Sequence, residues 1–118
     1  MTTKTITSTA PSRAPSRVLV VENEPTVQTL LRLHLEAAGH DVLVAHDGAM
    51  ALHVAFAERP DLVLTEMLLP VLDGMQLLAA LRANPGTEAT PLVFLAGTDE
   101  PKVMRRAMAA GADDFLAK

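Results

Sequence analysis

Cysteine, tryptophan and tyrosine are absent from this 118-residue chain, and phenylalanine occurs only three times. Without cysteine there is no disulfide framework, no thiolate nucleophile and no zinc site built on thiolates. With so few rings the core has to be aliphatic; at 49% apolar, one domain of this length can bury a real core. No apolar run approaches the roughly 20 residues that span a bilayer, so a soluble, cytoplasmic protein with no membrane partner is expected. Basic charge is scarce too: residues 18–118 hold seven Lys and Arg against fourteen Asp and Glu, which argues against nucleic acid as a partner of this body. There is no repeat at a solenoid period, and Gly48 and Gly97 are isolated glycines, far short of a phosphate-binding loop.

The first residues differ from the rest. MTTKTITSTAPSRAPSR carries Lys4, Arg13 and Arg17 with no acid, and it is rich in Thr, Ser and Pro. It has too few large apolar side chains to repay the entropy of ordering. Residues 1–16 are therefore expected to be a disordered leader and 17–118 the folded domain. The leader has no convincing apolar or amphipathic targeting segment.

From Val18 onward two kinds of segment alternate. Val18–Val21, Asp41–Ala45, Asp61–Thr65, Pro91–Ala96 and Asp113–Lys118 are short, apolar and partly β-branched, which suits parallel strands buried on both faces. Between them lie helical patterns. Val27, Leu30, Leu31, His34, Leu35 and Ala38 form one apolar stripe, with Pro25 near its start and Gly39 at its end. Further helices are expected at about Ala49–Glu58, Met75–Ala83 and Glu100–Ala110, the last capped by Thr98 or Asp99. Asp73-Gly74 reads as a turn or helix start. Strict alternation implies an α/β fold with a doubly wound parallel sheet and right-handed crossovers. The last strand is followed by no helix, so one face of the sheet edge is expected to stay open unless a longer parent or a partner covers it.

In such a sheet, chemistry collects at the carboxyl ends of the strands. Glu22, Asn23 and Glu24 follow the first strand, Glu66 closes the third, Ala96-Gly97 close the fourth and Lys118 closes the fifth. A lone carboxylate ending the apolar run DLVLTE would be costly to desolvate. Convergence with Lys118 on one rim would make it tolerable.

The blocks VLVVENEPTVQTLLRLHLEAAGHDVLVAHDG, DLVLTEMLLPVLDG, PLVFLAGTDE and RRAMAAGADDFLAK, at this spacing, resemble the receiver domain of bacterial two-component response regulators from about Arg17 to Lys118. The resemblance implies a flavodoxin-like fold of five strands in the order 2-1-3-4-5 and a final helix that this chain lacks. It implies a signalling module, not an enzyme. In that family an aspartate after the third strand accepts a phosphoryl group from a histidine kinase, two acids after the first strand help hold Mg²⁺, a Ser or Thr reads the phosphoryl group, and a Lys pairs with it. Carried over, the phosphoacceptor position is Glu66 and the acidic positions are Glu22 and Asn23. The hydroxyl position is Ala96, the pocket lysine Lys118, and the aromatic switch Phe115.

Three of these depart from the family pattern: Asn23, Glu66 and Ala96. Asn23 keeps an oxygen but loses a charge that a hard cation wants, so Mg²⁺ binding is expected to be weak or absent, with Glu22 and Glu66 as the remaining weak ligands. Glu66 adds one methylene, about 1.5 Å of reach, and a misplacement of about 1 Å can cost on the order of a hundredfold in rate. The extended carboxylate can instead pair with Lys118 and partly imitate a phosphorylated aspartate, with less charge. Ala96 removes the reader of that group and leaves room for Phe115 to sit inward without a signal.

Plainer roles stand beside these. Glu66 with Lys118 is also readable as a structural ion pair, and Asn23 as the cap of the helix that starts near Pro25. His34 is expected to be half-buried, and His40, His46 and His53 lack ligand spacing. The methionines at 50, 67, 75, 104 and 108 read as filler. Three functions remain in view: a phosphorylation-independent interaction module, a working phosphoacceptor using Glu66 with Mg²⁺, and, far behind, a flavodoxin-like cofactor enzyme, against which the acidic ENEPTV stands. The expected partners are a histidine kinase, an output domain or another receiver. A homodimer is one way to cover apolar surface expected on Lys102–Ala110 and the fifth strand.

Overall fold

The computed structural model describes residues 16–118. Apart from Ser16, the expected leader lies outside the described residues. Five strands alternate with four helices: β1 (Arg17–Val21), α1 (Pro25–Ala37), β2 (Asp41–Ala45), α2 (Gly48–Glu58), β3 (Leu62–Glu66), α3 (Gly74–Arg82), β4 (Leu92–Ala96), α4 (Pro101–Ala109) and β5 (Asp114–Ala117). The strands form one parallel sheet in the order β2-β1-β3-β4-β5, so the expected α/β architecture and strand order are both found. Among the described residues no helix is long and apolar enough to cross a membrane.

Helix starts are fixed locally. Asp47 accepts from Met50 N at 2.7 Å and starts α2. Asp73 and Gln76 exchange side-chain and backbone bonds at 2.9 and 3.0 Å in a capping box that starts α3, the helix start expected at Asp73-Gly74. At α1 the cap is Glu24, which accepts from Thr26 N at 2.8 Å, and not Asn23; Pro25 at the first helical position makes its immediate neighbour the cap. At α4 neither Thr98 nor Asp99 is the cap. Glu100 occupies that position without a side-chain bond, and Thr98 Oγ1 instead accepts from Glu100 N at 3.1 Å, outside the helix.

One layer holds the core. Leu77, Leu78 and Leu81 of α3, Ala51 and Ala55 of α2 and Ala107 of α4 pack against Leu19, Val63, Leu92, Phe94 and Phe115 of the sheet. The aliphatic core is as expected, with two rings, Phe94 and Phe115, register partners on adjacent strands. Two glycines let the layer close: a Cβ at Gly48 would lie 1.7 Å from Leu72 O, and one at Gly74 would lie 2.5 Å from Glu66 O. Each marks backbone running against backbone.

The other layer is thinner. Only β1 is buried on both faces; β3 and β4 alternate, with Leu62, Leu64, Val93 and Leu95 half-buried, and Leu116 of β5 is 47% exposed. The expectation of strands buried on both faces thus fails for all but β1, because α1 lies mainly over β1 and β2. Helix α1 itself has no buried residue. Its inward stripe is Val27, Leu31 and Leu35, narrower than expected, while Leu30 and His34 are exposed. His34 is therefore a solvent-facing residue and not a half-buried one. Met104 and Met108 of α4 are exposed together with Leu116, the apolar surface anticipated there.

Candidate functional site

Parallel register brings the strand tips together. Val21 pairs with Thr65, Glu66 with Leu95 and Ala96 with Ala117. One residue beyond β5, Lys118 N donates to Ala96 O at 2.7 Å, extending the ladder and bringing the lysine back over the rim. Its ammonium contacts Glu66 Oε2 directly and lies 3.8 Å from Glu22 Oε1. Glu22 is held by its own backbone turn, with Oε2 accepting from Glu24 N at 3.0 Å. Glu22, Glu66 and Lys118 therefore meet, as expected from their positions at strand ends.

The electrostatics are tight. Glu22 is 4% exposed, and the Glu66 side chain 12%. Apart from the ammonium of Lys118, Glu22 Oε1 and Glu66 Oε2 are buried without a hydrogen-bond partner among the described residues, so the charge of Lys118 is what compensates them. Burial pushes the Glu66 carboxyl above its ordinary range; Lys118 works against that shift, and the nearby Glu22 carboxylate adds to it. Lys118 is raised in turn, chiefly by its bond to Glu66 and against the effect of its own desolvation.

The remaining positions divide. Ala96 is 2% exposed, at the tip of β4 between Glu66's strand and β5, and offers no hydroxyl to the rim. Phe115 is 5% exposed and belongs to the core cluster, so its ring points inward. Asn23 is exposed and its side chain bonds to none of the described residues; the structure does not bring it into the acidic cluster. The turn that follows β1 aims Glu22 inward and its neighbour out.

Several groups around the rim were not singled out in the sequence. Gln28 Nε2 donates to Glu22 O at 3.1 Å and lies 3.3 Å from His46 Nδ1, bracing the first turn of α1 against the end of β2. The loop after β3 is strained: Leu72 N donates to Pro70 O at 2.7 Å across Val71, whose φ is 69°. That is a γ-turn in the left-handed region, costly for a β-branched residue. Beside Glu66 and Ala96 opens a cavity of about 550 Å³, reaching across Met67 and Met75 to Val103, Thr98 and Arg106. No sequence pattern marks it, because its walls come from three separate loops and helices.

Comparison with known proteins places this geometry. Residues 18–118 match the family model described as the response regulator receiver domain. The chain is 37% identical over 102 residues to the alkaline phosphatase synthesis transcriptional regulatory protein PhoP of Bacillus subtilis, covering 86% of this chain and 42% of that protein. It thus spans about two fifths of the length of the curated relatives it matches. Among solved structures it is similar to the chemotaxis response regulator CheY4 of Vibrio cholerae, with a TM-score of 0.84 at 28% identity, covering 88% of this chain and 87% of that one. It is also similar to the receiver domain of the sensor histidine kinase PA1611 of Pseudomonas aeruginosa, a structure with a magnesium ion coordinated in the active site cleft; the TM-score is 0.81 at 31% identity, covering 89% and 86%.

Proposed function

Because this chain belongs to the response regulator receiver domain family, we propose that it is a two-component signalling module held in a single state without phosphorylation and acting through protein contacts. The observation that carries this reading is the Lys118 ammonium closed on Glu66 and 3.8 Å from Glu22. A lysine already engaged by a protein carboxylate must give up that pair to meet an incoming phosphoryl group. Ala96 supports it, since it cannot hydrogen-bond such a group, and so does Phe115, which is already buried.

The residues present suit Mg²⁺ poorly. The solved PA1611 receiver has a magnesium ion in its cleft; here the two rim carboxylates share one ammonium, and the exposed Asn23 adds no charge. A hard divalent cation would have to displace Lys118 from both carboxylates and then settle for two acids. The partners that fit are proteins of the same signalling class: a kinase, an output domain or another receiver. The exposed Met104, Met108 and Leu116 supply apolar contact area, with a homodimer as one arrangement.

The second reading, Glu66 as an acyl-phosphate acceptor, keeps a nucleophilic carboxylate at the tip of β3. Intact-mass spectrometry after incubation with acetyl phosphate and MgCl₂ separates the two. No added mass is expected on this chain, and one phosphoryl group is expected on the combined variant Asn23→Asp, Glu66→Asp, Ala96→Thr. A phosphoryl group mapped to Glu66 in the parent chain overturns the proposal.

A further inference from the structure

We propose that the cavity beside Glu66 is a binding site for a small organic anion with an apolar body. The site does not depend on whether Glu66 accepts a phosphoryl group, and three independent features support it.

The first is size and wall chemistry. The volume of about 550 Å³ falls in the range of small-molecule sites. Met67 and Met75 on one side and Val103 of α4 on the other make an apolar slot, and methionine walls adapt to the shape of what enters. Leu68, 87% exposed at the lip, extends the same surface outward.

The second is charge. Three charged side chains border the cavity: Glu66, Asp73 and Arg106. Glu66 is engaged by Lys118. Asp73 accepts from Gln76 N and sits at the start of α3, where the helix dipole favours a negative group. Arg106 has no hydrogen-bonded or ion-paired side-chain partner among the described residues. The charge left unmatched in the lining is therefore a guanidinium, whose forked donors suit a carboxylate or sulfonate. Thr98 adds a second donor: its oxygen accepts from Glu100 N, and its hydroxyl proton remains available.

The third is space held open by glycine. A Cβ at Gly97 would meet nothing within 4 Å, and its φ is not in the left-handed region. The residue lines the cavity and has room for a side chain, so a larger residue there would compete with an occupant for the same space. An occupant touching Met75 and Arg106 joins the start of α3 to α4, the helix whose Met104 and Met108 are exposed, so occupancy would be felt on that face.

The probe is anilinonaphthalene sulfonate, an apolar double ring with one fixed negative charge, followed by fluorescence with the full chain. The expected result is saturable binding of one molecule per chain, weakened by about tenfold or more in Gly97→Leu, which fills the slot, and in Arg106→Glu, which reverses the charge. Leu30→Glu, on α1 far from the cavity, should bind like the parent. The uncharged analogue phenylnaphthylamine should bind the parent and Arg106→Glu alike. Arg106 is exposed and has no side-chain partner among the described residues, so that variant should keep its circular dichroism spectrum, and its result stands even if Gly97→Leu fails to fold. Absence of saturable binding, equal sulfonate affinity in the parent and Arg106→Glu, or loss of binding in Leu30→Glu would each overturn the assignment.

Discussion

The two edges of the sheet are built on opposite terms. At the amino edge, Arg17 donates from its main chain to Asp61 and from its side chain to Glu58. Arg82 there ties the end of α3 to Gly111 O, Thr90 O and Asp113 Oδ2, at distances from 2.7 to 3.2 Å. Asp113 Oδ2 in turn accepts from Leu92 N at 2.8 Å. At the carboxyl edge two carboxylate oxygens are buried with only an ammonium for company, a valine sits at positive φ, and a cavity opens alongside. The amino edge has its own exceptions, His40 Nδ1 buried without a partner among the described residues and Arg59 at φ 48°, but the buried atoms left to an ion pair alone are the two carboxylate oxygens at the carboxyl edge. Buried polar atoms without partners each call for an explanation; with two carboxylate oxygens, one ammonium and a cavity together, the carboxyl edge reads as site and the amino edge as scaffold.

The sharpest break in that contrast would come from Arg82. Its bonds go to main-chain carbonyls and a carboxylate on two otherwise separate loops, those before β4 and before β5, so Arg82→Ala should cost about 3 kcal/mol in urea unfolding and leave the rim chemistry untouched. A loss below about 1 kcal/mol would place it among ordinary surface ion pairs and erase the distinction between the edges.

Glu66→Gln should cost far less, within about 1 kcal/mol at neutral pH, because it removes a desolvated charge as well as an ion pair. Its signature is in the pH dependence. The folded-state pKa of Glu66 lies above its ordinary 4.5, so the folded protein takes up this proton before the unfolded chain does. The favourable contribution is complete below pH 4.5 and is lost as pH rises through the raised value. The stability of the parent relative to Glu66→Gln should therefore rise as pH falls from neutrality, read from unfolding midpoints across that window. A flat difference would mean that Glu66 is not desolvated. For Lys118, raised above 10.5, the sign places its contribution below pH 10.5 and its loss above, so alkaline titration should release the rim.

The smallest effect should be a gain. Val71→Gly relieves a left-handed β-branched residue and should stabilise the chain by about 0.5 kcal/mol, the released strain being partly offset by the entropy of glycine in the unfolded state. A destabilisation would show that the exposed Val71 side chain makes contacts that outweigh its backbone.

The fold was largely legible. Five apolar blocks alternating with helical patterns announce a parallel sheet, and the positions of Glu22, Glu66 and Lys118 at strand ends put them on one rim. What stayed hidden depends on direction, not position. Asn23 and Glu22 are neighbours, yet the turn buries one and exposes the other. His34 fits the apolar stripe by spacing, but α1 lies on the sheet by a narrow strip and leaves that row in solvent. Thr98 and Asp99 both look like caps, and the chain starts α4 one residue later. The cavity was invisible because Met67, Ala96 and Arg106 share no sequence period. They meet only because β3 and β4 end, and α4 begins, at the same edge of the sheet.

If the rim is closed rather than switched, the ring of Phe115 reports it directly. Carbon-labelled phenylalanine spectra of the chain, taken before and after acetyl phosphate and MgCl₂, should show one unchanged set of Phe115 resonances, those of a buried ring. A second set that grows with the phosphoryl donor would contradict it.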